Sequence, residues 1–214
     1  MKDDKIKKDK KANNIGAVIE LCLAVMLLAT VIIGYAPTPN DLVELTAVSN
    51  FGIGLLMLIS AILRLLNKKR LPNVVYLTAL ATIMIVFLIC MVSLTGIFTM
   101  NFSGAFLFLH VVNPLSVMAY YLIFTDENNF GEICSIFIAP LFCLLYLLID
   151  YVVGKSVGQF VYGFFKPEEL NFGYALLVGV VIYVGLLAVS ALMFLLNKLI
   201  HKSVYGNRDK NTNQ

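Results

Sequence analysis

Of the 214 residues, 60% are hydrophobic and only 14% are charged, and the mean hydropathy is +0.88. A soluble domain is about one-quarter charged, so this composition excludes an ordinary soluble enzyme. The formal charge of +3 is carried by lysines and arginines bunched beside apolar segments, a pattern of membrane topology rather than of nucleic-acid binding.

Crossing the ~30 Å hydrocarbon core takes roughly 20 apolar residues as a helix, and backbone groups in lipid must be satisfied within the segment. Six stretches qualify, so the expected fold is all-α: one polytopic domain of six transmembrane helices over residues 15–202, between polar tails at 1–14 and 203–214. The first tail, MKDDKIKKDKKANN, brings six lysines and reads as a disordered topology determinant close to anionic lipid. The first span is Ile15–Tyr35. It is longer than a signal-peptide core and is followed by Pro37 and Pro39 instead of a small-residue cleavage site, so it is expected to be retained. Glu20, near its basic end, is expected to reach water.

The tight turn APTPND leads to the second span, Leu42–Leu66, where Gly52 and Gly54 read as close-packing residues. The short loop KKRLPN makes the third span, Val74–Leu94, an antiparallel neighbour of the second. The fourth, Phe106–Phe124, holds His110, Asn113 and Pro114 within five residues. Proline cannot donate to the carbonyl four residues back, here that of His110, so a kink is expected. The acidic loop TDENNFGE follows. The fifth span, Ile133–Tyr151, is interrupted by Pro140. The long connection GKSVGQFVYGFFKPEELNFG reads as an interfacial aromatic segment through Phe160, Tyr162, Phe164 and Phe165. The sixth span is Tyr174–Asn197, with His201 snorkelling beyond it. Cys22, Cys90, Cys134 and Cys143 all fall within spans, with no metal-ligand or redox spacing. They read as small packing residues. Placing both termini in the cytoplasm puts 14 of the 16 basic residues inside, leaving Lys155 and Lys166 outside. The expected location is the cell membrane.

That topology gives depths. Thr46 and His110 each lie about four residues below the outer start of their spans, roughly 6 Å down at 1.5 Å per residue. Asn50 is one turn beneath Thr46, Ser49 is close by, Asn113 is at i+3 from His110, and the fifth span ends near Asp150. A hydroxyl and an imidazole at one level are the minimum set for acyl transfer, the imidazole taking the proton as oxygen attacks a carbonyl carbon. The ring is available as a base near neutrality, with a reference pKa of ~6.5. Asn50 and Asn113 are candidate donors to a developing oxyanion; Ser49 and Asp150 complete the candidate binding set. No cofactor or metal enters the scheme, and there is no phosphate-binding, dinucleotide or metalloprotease motif. The same polar residues also suit a small transporter with broken helices or helix-to-helix glue in a non-catalytic scaffold.

Two segments, LTAVSNFGIGLL from Leu45 and LHVVNPLSVMAYYLIF from Leu109, resemble those of the androgen-induced, ADTRP-like membrane hydrolases and their bacterial relatives. A weaker similarity lies in VYGFF, Val161–Phe165. The resemblance implies a six-helix hydrolase of fatty acid esters of hydroxy fatty acids, with membrane lipid esters as substrates. It places the threonine nucleophile at Thr46 and the histidine at His110. Where bacterial relatives often carry an acidic-aromatic pair late in the histidine helix, this chain has Tyr120 and Tyr121.

Overall fold

The computed structural model describes residues 2–96, 103–125, 133–162 and 166–205, with side chains described from Asn13 to Ser203. Among these the chain is helical, without strands, and six helical segments are long and apolar enough to cross a membrane. The helices are α1 (Lys2–Tyr35), α2 (Leu45–Leu65), α3 (Asn73–Ser93), α4 (Ala105–Phe124), α5 (Ile133–Ile138), α6 (Leu141–Val157) and α7 (Phe172–Tyr205). The acidic loop after Thr125, residues 163–165 of the aromatic connection and the tail from 206 onward lie outside the described residues.

Differences from the expected boundaries have physical reasons. The basic segment read as a disordered tail continues α1 as helix from Lys2; its Lys, Asp and Ala are good or tolerable helix residues and nothing breaks the run. The second helix begins at Leu45 rather than Leu42. Pro39–Val43 form a 3₁₀ turn instead, and Glu44 is the N-cap residue. Thr46 therefore sits in the first turn of α2. The fifth span is broken where proline demanded it: α5 ends at Ile138, and Pro140 precedes the first residue of α6. In α4 the expected kink takes the form of a π turn over Phe108–Val112. The Asn113 N–H donates to the Phe108 carbonyl, five residues back. The widened turn makes room for the Pro114 ring, which an unbroken α-helix would drive against the preceding turn.

α3 is the central pillar, touching α2, α4, α5, α6 and α7. It is apolar on every side, as a helix surrounded by others must be; Leu77, Leu80, Ile83 and Cys90 are wholly buried. α1 packs along α2 at a distance set by Gly54, where an added Cβ would lie 2.8 Å from Leu28 Cγ. Gly52, expected to pack similarly, faces open space. The main core, which includes Leu27, Met57, Leu80, Val117 and Tyr121, lies among α1 to α4. The spans containing α5–α6 and α7 are far less enclosed: 17% of each hydropathy window is buried, against 61% for α3.

A second polar layer lies at the opposite end of α2 from Thr46. Glu20 is fully buried rather than in water, and Arg64, one of the basic residues that close the second span and that the charge pattern places on the cytoplasmic side, is turned inward and 4% exposed. Arg64 Nε is 2.8 Å from Glu20 Oε1, which also accepts from Ser60 at 2.7 Å and from Tyr120; Arg64 Nη2 donates to Tyr120 at 3.0 Å. Glu20 of α1 thus meets Tyr120 of α4 within this layer. On the same side, Asn197 of α7 caps α4, donating to the Tyr121 and Thr125 carbonyls at 2.9 and 2.7 Å.

Candidate active site

α2 and α4 bring Thr46 and His110 together. Thr46 Oγ1 is 3.5 Å from His110 Nε2, and both residues are buried, 4% and 5% exposed. The separation is longer than a finished hydrogen bond, as is common for catalytic pairs before substrate tightens them. His110 Nδ1 is 2.9 Å from the Phe106 carbonyl oxygen. A carbonyl can only accept, so Nδ1 carries the hydrogen, and in the neutral ring the Nε2 lone pair faces the threonine. The Phe106 ring stacks on the imidazole with centroids 6.0 Å apart and fixes its plane.

The π turn supports this pair from below. In an α-helix the Asn113 N–H would serve the Leu109 carbonyl; here it goes to Phe108. Asn50 takes the released acceptor: its Nδ2 donates to Leu109 O at 3.3 Å and to Thr46 O at 2.8 Å. Asn113 Nδ2 in turn donates to Asn50 Oδ1 at 2.7 Å and to Thr30 Oγ1 at 2.9 Å. Ser49 Oγ donates to Thr46 O at 3.2 Å. α1, α2 and α4 are thereby tied at one level. Asn50 and Asn113 are wholly buried, and neither they nor Ser49 line the cavity beside Thr46. They brace Thr46 and His110 from behind and do not border the cavity.

That cavity has a volume of about 900 Å³, within the range of small-molecule sites. Thr46 and His110 stand at one end. Its walls are apolar: Ile85, Val86 and Ile89 of α3, the inner face of α6 from Leu141, and α7 as far as Tyr183. The run from Phe172 to Tyr183 is roughly 16 Å of helix, the reach of a fatty acyl chain. At the Thr46 end the border turns polar with Glu44, Tyr146, Asp150 and Tyr162. Asp150, a candidate for binding, lines the cavity, and its Oδ1 accepts the Val161 N–H at 3.0 Å. Glu44 Oε2 accepts from Tyr35 at 2.7 Å; burial raises its carboxyl above the usual range.

Two site residues were not singled out by sequence spacing. Glu44 falls within the second span expected from hydropathy, Leu42–Leu66, but precedes the observed helix by one residue. Tyr162 was assigned to an aromatic belt, yet its hydroxyl accepts the backbone N–H of Thr46 at 3.3 Å. Among the described residues no group of three His, Cys, Asp or Glu could hold a metal ion. No family model, curated protein or solved structure matches the chain.

Proposed function

We propose that this protein is an intramembrane hydrolase of fatty acyl esters, with Thr46 as nucleophile and His110 as general base. The observation that carries the reading is the Thr46 Oγ1–His110 Nε2 approach of 3.5 Å, with the far ring nitrogen tied to a backbone carbonyl, at the end of a long apolar cavity. Glue between helices needs no such void, whereas an acyl chain does. The resemblance to the androgen-induced hydrolases points the same way.

The acyl chain lies along α3, α6 and α7 with its ester at Thr46. The Thr46 proton passes to His110 Nε2 as Oγ1 bonds to the carbonyl carbon, and the carbonyl π pair moves onto oxygen. Collapse breaks the bond to the alcohol oxygen, which takes the proton from His110. Water then attacks the acyl-threonine, giving one proton to His110 and returning it to Thr46 as the fatty acid leaves. Burial along the walls contributes about 0.8 kcal/mol per methylene, so chain length governs binding more than the alcohol does. The distribution of basic residues supports a multi-pass protein of the cell membrane with both termini cytoplasmic and the Thr46 end toward the outer leaflet.

The test is covalent. A long-chain alkyl fluorophosphonate should label the purified protein on the Thr46 peptide. Both Thr46→Ala and His110→Ala should abolish the label and lower ester turnover by about 10²–10⁴-fold. Labelling that persists in Thr46→Ala overturns the assignment. A His110→Ala protein that loses thermal stability but keeps its turnover makes the pair structural.

A further inference from the structure

The attack on an ester needs hydrogen-bond donors where the oxyanion develops, and the two asparagines are committed elsewhere. Asn50 Nδ2 serves two backbone carbonyls, and Asn113 Nδ2 serves Thr30 and Asn50. Neither borders the cavity. Beside the Thr46 hydroxyl on the cavity side stand the backbone N–H of Thr46 itself and the hydroxyl of Tyr162, 3.3 Å apart. Resting on the hydrolase reading above, we propose that Tyr162 is a catalytic residue that forms the oxyanion hole together with the Thr46 N–H.

The Thr46 amide lies in the first turn of α2, where N–H groups have no carbonyl within the helix and the helix dipole favours negative charge. A nucleophile's own amide is a common oxyanion donor. The phenol oxygen now stands where that N–H points. With substrate bound it yields the position to the carbonyl oxygen and donates its O–H to the same atom. A phenol has an ordinary pKa of ~10, so the Tyr162 proton is present near neutrality.

The segment that leads into Tyr162, from Gly158 to Val161, is held at several points. Gly158, at φ +85°, ends α6 in the left-handed conformation that glycine adopts without strain. Phe160 folds back against Gly154, where a side chain would collide with its ring, and is 6% exposed. Asp150 then holds the Val161 N–H, and the next residue reaches Thr46. Asp150 is in this scheme a positioning residue for Tyr162.

The experiment uses the full chain in detergent or nanodiscs, a long-chain acyl 4-nitrophenyl ester as substrate, and a long-chain alkyl trifluoromethyl ketone, which mimics the tetrahedral intermediate. Tyr162→Phe removes one oxygen. It should lower kcat by about 10²–10³-fold with little change in KM, weaken the ketone in parallel with kcat/KM, and leave the thermal midpoint unchanged. Asp150→Ala, which keeps the phenol but frees its loop, should give a smaller fall in kcat with the same pattern. A Tyr162→Phe protein with kcat near that of wild type, or with a raised KM and an unchanged kcat, overturns the assignment while leaving Thr46 and His110 in place. A wild type with no Thr46-dependent turnover overturns the hydrolase reading and this assignment together.

Discussion

The histidine of this site is oriented by a backbone carbonyl, where a carboxylate often does the same work, and its floor is two asparagines. The consequence is a division of labour among residues that sequence spacing alone groups together. Hydropathy points to Thr46 and His110 at similar depth, and the two do meet, although α2 starts at Leu45 and Thr46 is its second residue rather than four residues in. What Asn50 and Asn113 bond to depends on how three helices rotate about their axes, which hydropathy does not encode. Replacing Asn113 by leucine strands Asn50 Oδ1 in a buried layer, while the Thr30 hydroxyl loses one donor but keeps the Met26 and Leu27 carbonyls. The expected cost is about 1–3 kcal/mol, read as a lower thermal midpoint in detergent, while KM for the residual folded enzyme stays unchanged. A rise in KM without a loss of stability would return Asn113 to the binding set.

Among the elements, the π turn of α4 decides where His110 faces. One residue more than an α-helix requires is accommodated between Phe108 and Asn113. Deleting Val111 would turn His110 by about 100° and shift it by about 1.5 Å relative to the half of α4 that anchors in the core. Turnover should then fall to the level of His110→Ala, measured with the same ester. The proline announced a disturbance in the sequence, but not whether it would bend or widen the helix. Arg64 departs from expectation for a related reason: a basic residue near a span end usually reaches water. Here Gly16 clears its path, since an added Cβ would lie 2.5 Å from the guanidinium, and Glu20 receives it. Arg64→Met leaves a buried carboxylate unpaired and should destabilise by about 3–5 kcal/mol, with much of the loss recovered in Glu20→Gln/Arg64→Met. Thermal unfolding of the three proteins checks this.

At the scale of the whole molecule, the proposed six crossings would put both ends of the chain on one side. Accessibility reporters at residue 2 and within 126–132 should behave alike and opposite to reporters at residue 38 or 168. The cavity border carries Glu44 and Asp150 but no lysine or arginine. Lys166 faces Glu169, and Lys155 is engaged with the Pro167 carbonyl. An ester whose alcohol part ends in a free carboxylate, the kind the resemblance implies, meets like charge there, so, against that implication, its kcat/KM should fall below that of its methyl ester, and the gap should narrow in Glu44→Gln. Equal rates would mean that the alcohol part leaves the border altogether. Six spans and their order were legible because hydrophobic length is a local property. The lateral arrangement was not, and with it went the cavity, the Tyr162 contact and the inward arginine, each of which joins residues tens of positions apart.

The uneven enclosure of the bundle has a consequence for regulation by the bilayer. Thr46 and His110 belong to the more enclosed quartet of α1–α4, whereas much of the cavity beside them is walled by α6 and α7, whose spans are only 17% buried. On the proposed function, the thickness and lateral pressure of a surrounding leaflet would act on that less enclosed wall more than on the Thr46–His110 pair. Vesicles of graded acyl length should change which chain lengths are accepted, as a sliding jaw changes what a vice will grip without altering its fixed face.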